Sequence, residues 1–184
     1  LGRAGTGHVP HSREGRVSTL VTIADAVKTE IRAAITAAIA ADATTVPATV
    51  VRDWDPMIQT PEAVRELENR MVYVIPEGKE FGEVATRALD RNVYRIGLLI
   101  VDKIPGDLQS PGESDAMTQW LDDAVEWVND LVYEVVTDVD FAPTTGCSLE
   151  SADLREVCNR GYVRLFGAFV SEIDLAFFLD ESNT

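Results

Sequence analysis

Hydrophobic residues recur every four positions at Ile23, Val27, Ile31, Ile35 and Ile39, with Ala24, Ala34 and Ala38 beside them. That period predicts a helix from Thr22 to Ala41 with one apolar stripe. Thr22 serves as N-cap, and Asp25, Lys28, Glu30 and Arg32 turn toward the other faces. The pattern then becomes β-branched. Thr45 to Arg52 reads as a strand, and Pro47 near its start suits an edge or an entry position. Asp53-Trp54-Asp55-Pro56 turns the chain. Thr60-Pro61-Glu62 combines a cap, a proline at the first helical position and an acid, so a short helix is expected to Asn69.

Met71 to Pro76 forms a second expected strand. Glu77-Gly78-Lys79 bends or bulges it, and Glu80 to Ala88 continues extended. Asp90-Arg91-Asn92 turns into a third strand, Val93 to Ile104. Its middle, Ile96 to Val101, is apolar on both faces and so belongs at the centre of a sheet. After a loop at Pro105 to Gly112, Ser114 caps a long helix to Thr137. Met117, Trp120, Leu121, Ala124, Val128, Leu131 and Val135 form its apolar side. Trp120 and Trp127, seven apart, share a face as core residues do. Phe141 to Glu150 is expected as a turn-rich loop and Ser151 to Asn159 as a short helix. Ala168 to Leu179 closes the domain as a strand with Phe169, Ile173, Leu175, Phe177 and Leu179 on one face. The expected class is α+β: a mostly antiparallel four-stranded sheet with two main helices on one face, and an arm before it.

Charge changes this picture. Residues 104 to 154 hold twelve carboxylates and no Lys, Arg or His, within a chain whose net charge is -15. Asp122, Glu126, Asp130 and Glu134 lie four apart on one face of the long helix, with Asp123 beside them. Like charges at that spacing each weaken a helix by a few tenths of a kcal/mol, so core packing must override them. Such a run is an ordinary solvated face, or a charged interface or channel wall. An acidic balance argues against unaided binding to nucleic-acid phosphates, which depends on Lys and Arg.

Residues 1–16 are different. They are Gly-rich and carry Arg3, Arg13, Arg16, His8 and His11, without the apolar centre of a signal peptide. Val17 is a candidate start of translation, with the sixteen residues before it then coming from upstream. The competing expectation is a basic arm that lies on a neighbouring subunit or partner, ahead of a single domain over 17–184. No apolar run approaches the roughly 20 residues needed to cross a bilayer.

Candidate chemistry is sparse. Both histidines sit in the arm, so no folded Ser-His-Asp or Cys-His site is expected. No phosphate-cradling glycine motif follows a strand. Cys147 and Cys158 have neither zinc nor redox spacing and read as two free thiols. Asp53 and Asp55 read better as turn residues than as a metal pair. No catalytic residue, cofactor or metal is expected.

The order of elements resembles the tail terminator family of tailed bacteriophages. The matching segments are Ile23-Ala24-Asp25-Ala26-Val27, then Thr49-Val50-Val51-Arg52 running into Asp53-Trp54-Asp55-Pro56, and Met71-Val72-Tyr73-Val74-Ile75-Pro76. They continue with Arg87, with Asp90-Arg91-Asn92-Val93-Tyr94-Arg95-Ile96-Gly97-Leu98-Leu99-Ile100-Val101, with Asp122-Asp123-Ala124-Val125-Glu126-Trp127-Val128, and with the closing strand. The likeness runs from Val17 to Leu179. The segment Phe141 to Gly167 is longer than the family pattern, and the arm is additional.

The resemblance implies a structural virion protein, not an enzyme. Such proteins form a ring, usually a hexamer, on the last layer of the tail tube. Their partners are the tube protein and the neck or connector proteins, and DNA passes through the middle as cargo. It implies assembly in the host cytoplasm, residence at the tail–neck junction, and no membrane. Asp122, Asp123, Glu126, Asp130 and Glu134 on one side, and Arg3, Arg13 and Arg16 on the other, are the candidate interface or channel residues. The alternatives are another head–tail connector or head-closure protein, a small acidic protein-binding module, and an enzyme with a site shared between subunits.

Overall fold

The structure, a computed structural model, describes residues 19–41, 48–53, 66–67, 70–81, 92–109, 114–156, 158 and 160–179. Of the helix expected from Thr60 to Asn69 only Glu66 and Leu67 are described, and neither is helical; of the extension Glu80 to Ala88 only Glu80 and Phe81 are described, and they are extended; the arm with Arg3, Arg13 and Arg16 lies outside the described residues.

The first helix, α1 (Thr19–Ala41), begins three residues before Thr22. Its stripe is the core side: Ile23, Val27, Ile31 and Ile35 are buried, and Ile39 packs against the same cluster. Fully burying one such side chain contributes about 1.5–3 kcal/mol, so this stripe outweighs every polar contact α1 makes. Lys28 departs from expectation, because it is buried as well. Its stem lies along the core while its ammonium reaches out to carboxylates, as long cationic side chains can.

The strands β1 (Thr49–Asp53), β2 (Arg70–Phe81), β3 (Asn92–Lys103), β4 (Cys147–Glu156) and β5 (Ala168–Leu179) form one sheet in the order β1-β2-β3-β5-β4. Four of them, β2 to β5, pair antiparallel, and β1 joins β2 in parallel at one edge. The sheet is therefore mixed and five-stranded, not four-stranded. β3 is central, with Ile96, Leu98 and Ile100 facing α1 and Val101 facing the opposite side. The register of β2 slips between Pro76 and Gly78, at the expected bend.

The expected loop at Phe141 to Glu150 and the expected helix at Ser151 to Asn159 are overturned. A single turn, α4 (Ala142–Thr145), leads into β4 instead. Cys147, Leu149, Ala152 and Leu154 point into the core. Their spacing is two, three, two, because the pairing slips between Leu149 and Ser151. That bulge destroys the period-two signature of a strand. A second short helix, α5 (Arg160–Phe166), also goes unread in the sequence. It lies on the opposite face of the sheet, where Tyr162 and Phe166 pack against Met71, Tyr73, Val101, Ala168 and Val170. Both α4 and α5 end on a left-handed glycine, Gly146 (φ 71°) and Gly167 (φ 61°), which starts the following strand.

The long helix begins at Ser114 as expected. It runs as α2 (Ser114–Trp127), passes through a π-helical segment (Val128–Glu134), and ends as α3 (Val135–Asp138). Ala124, Trp127, Val128 and Val136 are buried with the α1 stripe, so both main helices share one face of the sheet. Trp120 packs edge-on against Phe169, with ring centroids 6.5 Å apart.

Candidate functional site

The acidic residues of α2 stand opposite its core side. Asp122, Asp123, Glu126 and Asp130 are all exposed, while Ala124, Trp127 and Val128 between them are buried. Asp123 accepts a hydrogen bond from Gln119 Nε2 at 2.7 Å. Asp130 already lies in the π-helical segment, whose wider turns carry later residues out of line with Asp122 and Glu126. The side chain of Glu134 lies outside the described ones. Asp107, Asp115, Asp138, Asp140, Glu150 and Asp153 are exposed too. Every described carboxylate between residues 104 and 154 therefore faces outward. Arg3, Arg13 and Arg16, the expected counterparts of these acids, lie outside the described residues.

Behind this surface, Trp127 seals a buried ion pair. Arg70, at the start of β2, donates through Nε (2.7 Å) and Nη2 (2.6 Å) to Asp102 Oδ2 at the end of β3. Its guanidinium carbon lies 4.3 Å from the centre of the Trp127 ring. This is a cation–π stack that fixes the end of α2 on the sheet. Arg70 Nη1 and Trp127 Nε1 are buried with no hydrogen-bond partner, so the cluster carries a desolvation cost. The sequence hides this pairing, because Arg70 and Asp102 meet only when β2 and β3 pair.

A second polar cluster joins α1 to the sheet edge. Lys28 Nζ lies 2.6 Å from Asp25 Oδ1 and 2.5 Å from Asp53 Oδ1. One turn further on, Arg32 Nη2 donates to the Val51 carbonyl at 2.9 Å. Asp53, expected as a turn residue, thus also holds a buried lysine. Burial works to lower the Lys28 pKa, but hydrogen bonds to Asp25 and Asp53 and their charges outweigh it, and the ammonium is held above its ordinary value. A cavity of about 610 Å³ opens beside this cluster, lined by Val21, Ala24, Asp25, Lys28, Asp53, Ile75, Pro76 and Glu77.

Glu77 keeps contact with solvent, yet it approaches the backbone at Gly97, where a Cβ would meet its Oε1 at 2.7 Å. Partial burial pushes its carboxyl above the ordinary range, and the nearby Asp174 adds to the shift. Arg155 and Arg95 oppose it more weakly. Arg155 is itself engaged by Asp174.

Catalytic machinery does not emerge from these clusters. Cys147 is a buried thiol whose pKa is pushed up by burial, the opposite of an activated nucleophile. Among the described residues, no three His, Cys, Asp or Glu side chains are grouped to hold a metal. Among the same residues, no helix is long and apolar enough to cross a membrane. No protein-family model matches the chain, and no curated protein sequence matches it either.

Proposed function

We propose that this protein is a structural component of a phage virion: a ring that caps the tail tube and joins it to the neck, with DNA passing through its centre. The observation that carries this reading is the outward-facing acidic surface of α2, built on a helix whose other side is core. A closed ring needs heterologous contacts, in which one face of a subunit complements a different face of the next. A one-sign surface on a rigid helix suits that task, since charge of this kind fixes register and partner choice more than affinity. The α+β architecture, with two main helices on one face of the sheet, is compatible with the resemblance in element order. In this reading α2 faces the next subunit or the neck. An acidic surface near the bore would also keep DNA from adhering.

The test is the mass of the purified protein by light scattering at low and high salt, with and without tail tubes. Six copies per particle, or a monomer that forms rings only on tubes, supports the reading. A monomer indifferent to tubes and salt overturns it in favour of an acidic binding module.

A further inference from the structure

The long helix changes its winding after Trp127, although its hydrophobic pattern suits an unbroken α-helix. An α-helix turns about 100° per residue, so it would keep Met117, Leu121, Ala124, Val128, Leu131 and Val135 on one narrow stripe. Val136 would then lie about 80° away from Val128 around the axis. In the structure Val136 is instead fully buried in the same core as Val128. The π-helical segment Val128–Glu134 makes this possible, because its wider turns lag behind the α-helical rotation. The run Leu131-Val132-Tyr133-Glu134-Val135-Val136 therefore offers an apolar residue to the core in either winding.

The same winding decides the order of the acidic face. In an α-helix Asp122, Glu126, Asp130 and Glu134 stack four apart in one row, and each neighbouring pair of like charges is unfavourable. The π winding carries Asp130 out of line with Asp122 and Glu126, which relieves that repulsion. The contacts that hold this winding are modest. Tyr133, within the segment, donates to the Ala152 carbonyl of β4 at 3.2 Å, long for a hydroxyl donor. At the junction, Trp127 Nε1 and Nη1 of the Arg70 stacked on its ring are buried without hydrogen-bond partners. With weak bonding on one side and weak repulsion on the other, charge on the exposed face is enough to tip the balance.

We propose that residues 128–138 are a two-register element, π-wound while the acidic face is bare and α-wound when a basic surface neutralises it. A basic partner gains more from four carboxylates in one row than from a broken row. Partner binding and register are therefore linked, each favouring the other. The partner rests on the reading of α2 as an interface, whereas the switch itself requires no ring.

The test is thiol labelling of the full chain with an uncharged maleimide, with Cys158→Ser removing the less buried native thiol. Val136→Cys reports the register, since α winding turns that position away from the core. Val128→Cys is the control, because its position stays on the core side in both windings. Each is measured with and without Asp130→Asn, which takes the charge from the middle of the row, and circular dichroism checks that every variant folds. Labelling of Val136→Cys is expected to run about two- to fivefold faster with Asp130→Asn, the scale of two like-charge pairs at helical spacing, while Val128→Cys is unchanged. Equal rates at Val136→Cys in both backgrounds, or the same acceleration at both positions, overturn the proposal. A failure here leaves the light-scattering result standing, and a monomer there leaves this result standing.

Discussion

At the scale of single residues, the buried cations make the sharpest predictions. Arg70 keeps only 6% of its surface exposed, and Asp102 is its ionic partner among the described residues. Replacing Asp102 with Ala strands a guanidinium between the sheet and Trp127. Losing one partner of a buried pair costs about 3–5 kcal/mol, far more than an exposed pair returns. Asp102→Ala is therefore expected to lower the urea midpoint severely. A shift corresponding to less than about 1 kcal/mol would mean that water reaches the guanidinium. Lys28 gives a prediction in pH. Its folded pKa is raised, so its contribution is complete below the ordinary lysine value of about 10.4 and is lost as pH climbs past it. Thermal melts of the wild type and of Lys28→Met should differ by a constant amount through neutral pH. The difference should shrink only in the alkaline range. A difference that fades near neutrality would assign the effect to some other group.

At the scale of elements, α2 shows which force wins. Asp122 and Glu126 repel one another at helical spacing for a few tenths of a kcal/mol. Against this, burying Val128 alone contributes about 1.5–3 kcal/mol, with Trp127 and Ala124 adding to it. The helix thus forms in spite of its acidic face, and that face is free for a partner. Replacing Asp122, Asp123, Glu126, Asp130 and Glu134 with Asn or Gln is expected to leave the fold intact and raise its melting temperature slightly. If the face is a subunit contact, assembly should weaken and lose its salt dependence. Assembly that keeps the same salt dependence would remove this face from the interface. The π-helical segment bears on the same experiment. It begins directly after Trp127, where the stack on Arg70 pins the helix, and such segments occur often at functional sites.

At the scale of the whole molecule, the sheet separates two unlike surfaces. Among the described residues, one carries α1 and α2 over the large core, and the other carries α5 over a small cluster at one end. The rest of that second face, among the described residues, holds Arg95, Glu172, Asp174, Asp153 and Arg155, a mixed-charge band unlike the one-sign surface of α2. A subunit with two such different exteriors suits head-to-tail closure, in which each face meets a different neighbour. The light-scattering experiment decides at this scale.

Local periodicity determined much of this protein. The α1 stripe, the two-sided apolar centre of β3, the alternation of β5 and the Ser114 start of α2 all lie in short-range pattern, because each element buries a face set by its own geometry. The exposure of the acidic block was legible for the same reason: twelve charges without a counter-ion cannot go inside. Tertiary structure decided the rest. β4 is masked in the pattern by its bulge, so its residues predict a loop and a helix. α5 is a seven-residue element whose Tyr162 and Phe166 make sense only against the far side of a sheet. Lys28, placed by its charge on an outer face, is buried because Asp53 arrives from another element, 25 residues along the chain, to meet it. Arg70 and Asp102 are separated by 32 residues and become partners only through strand pairing. Sequence pattern reports which face of each element is apolar. It does not report which polar groups the packed elements bring within reach, since that depends on register and on distances no single segment contains.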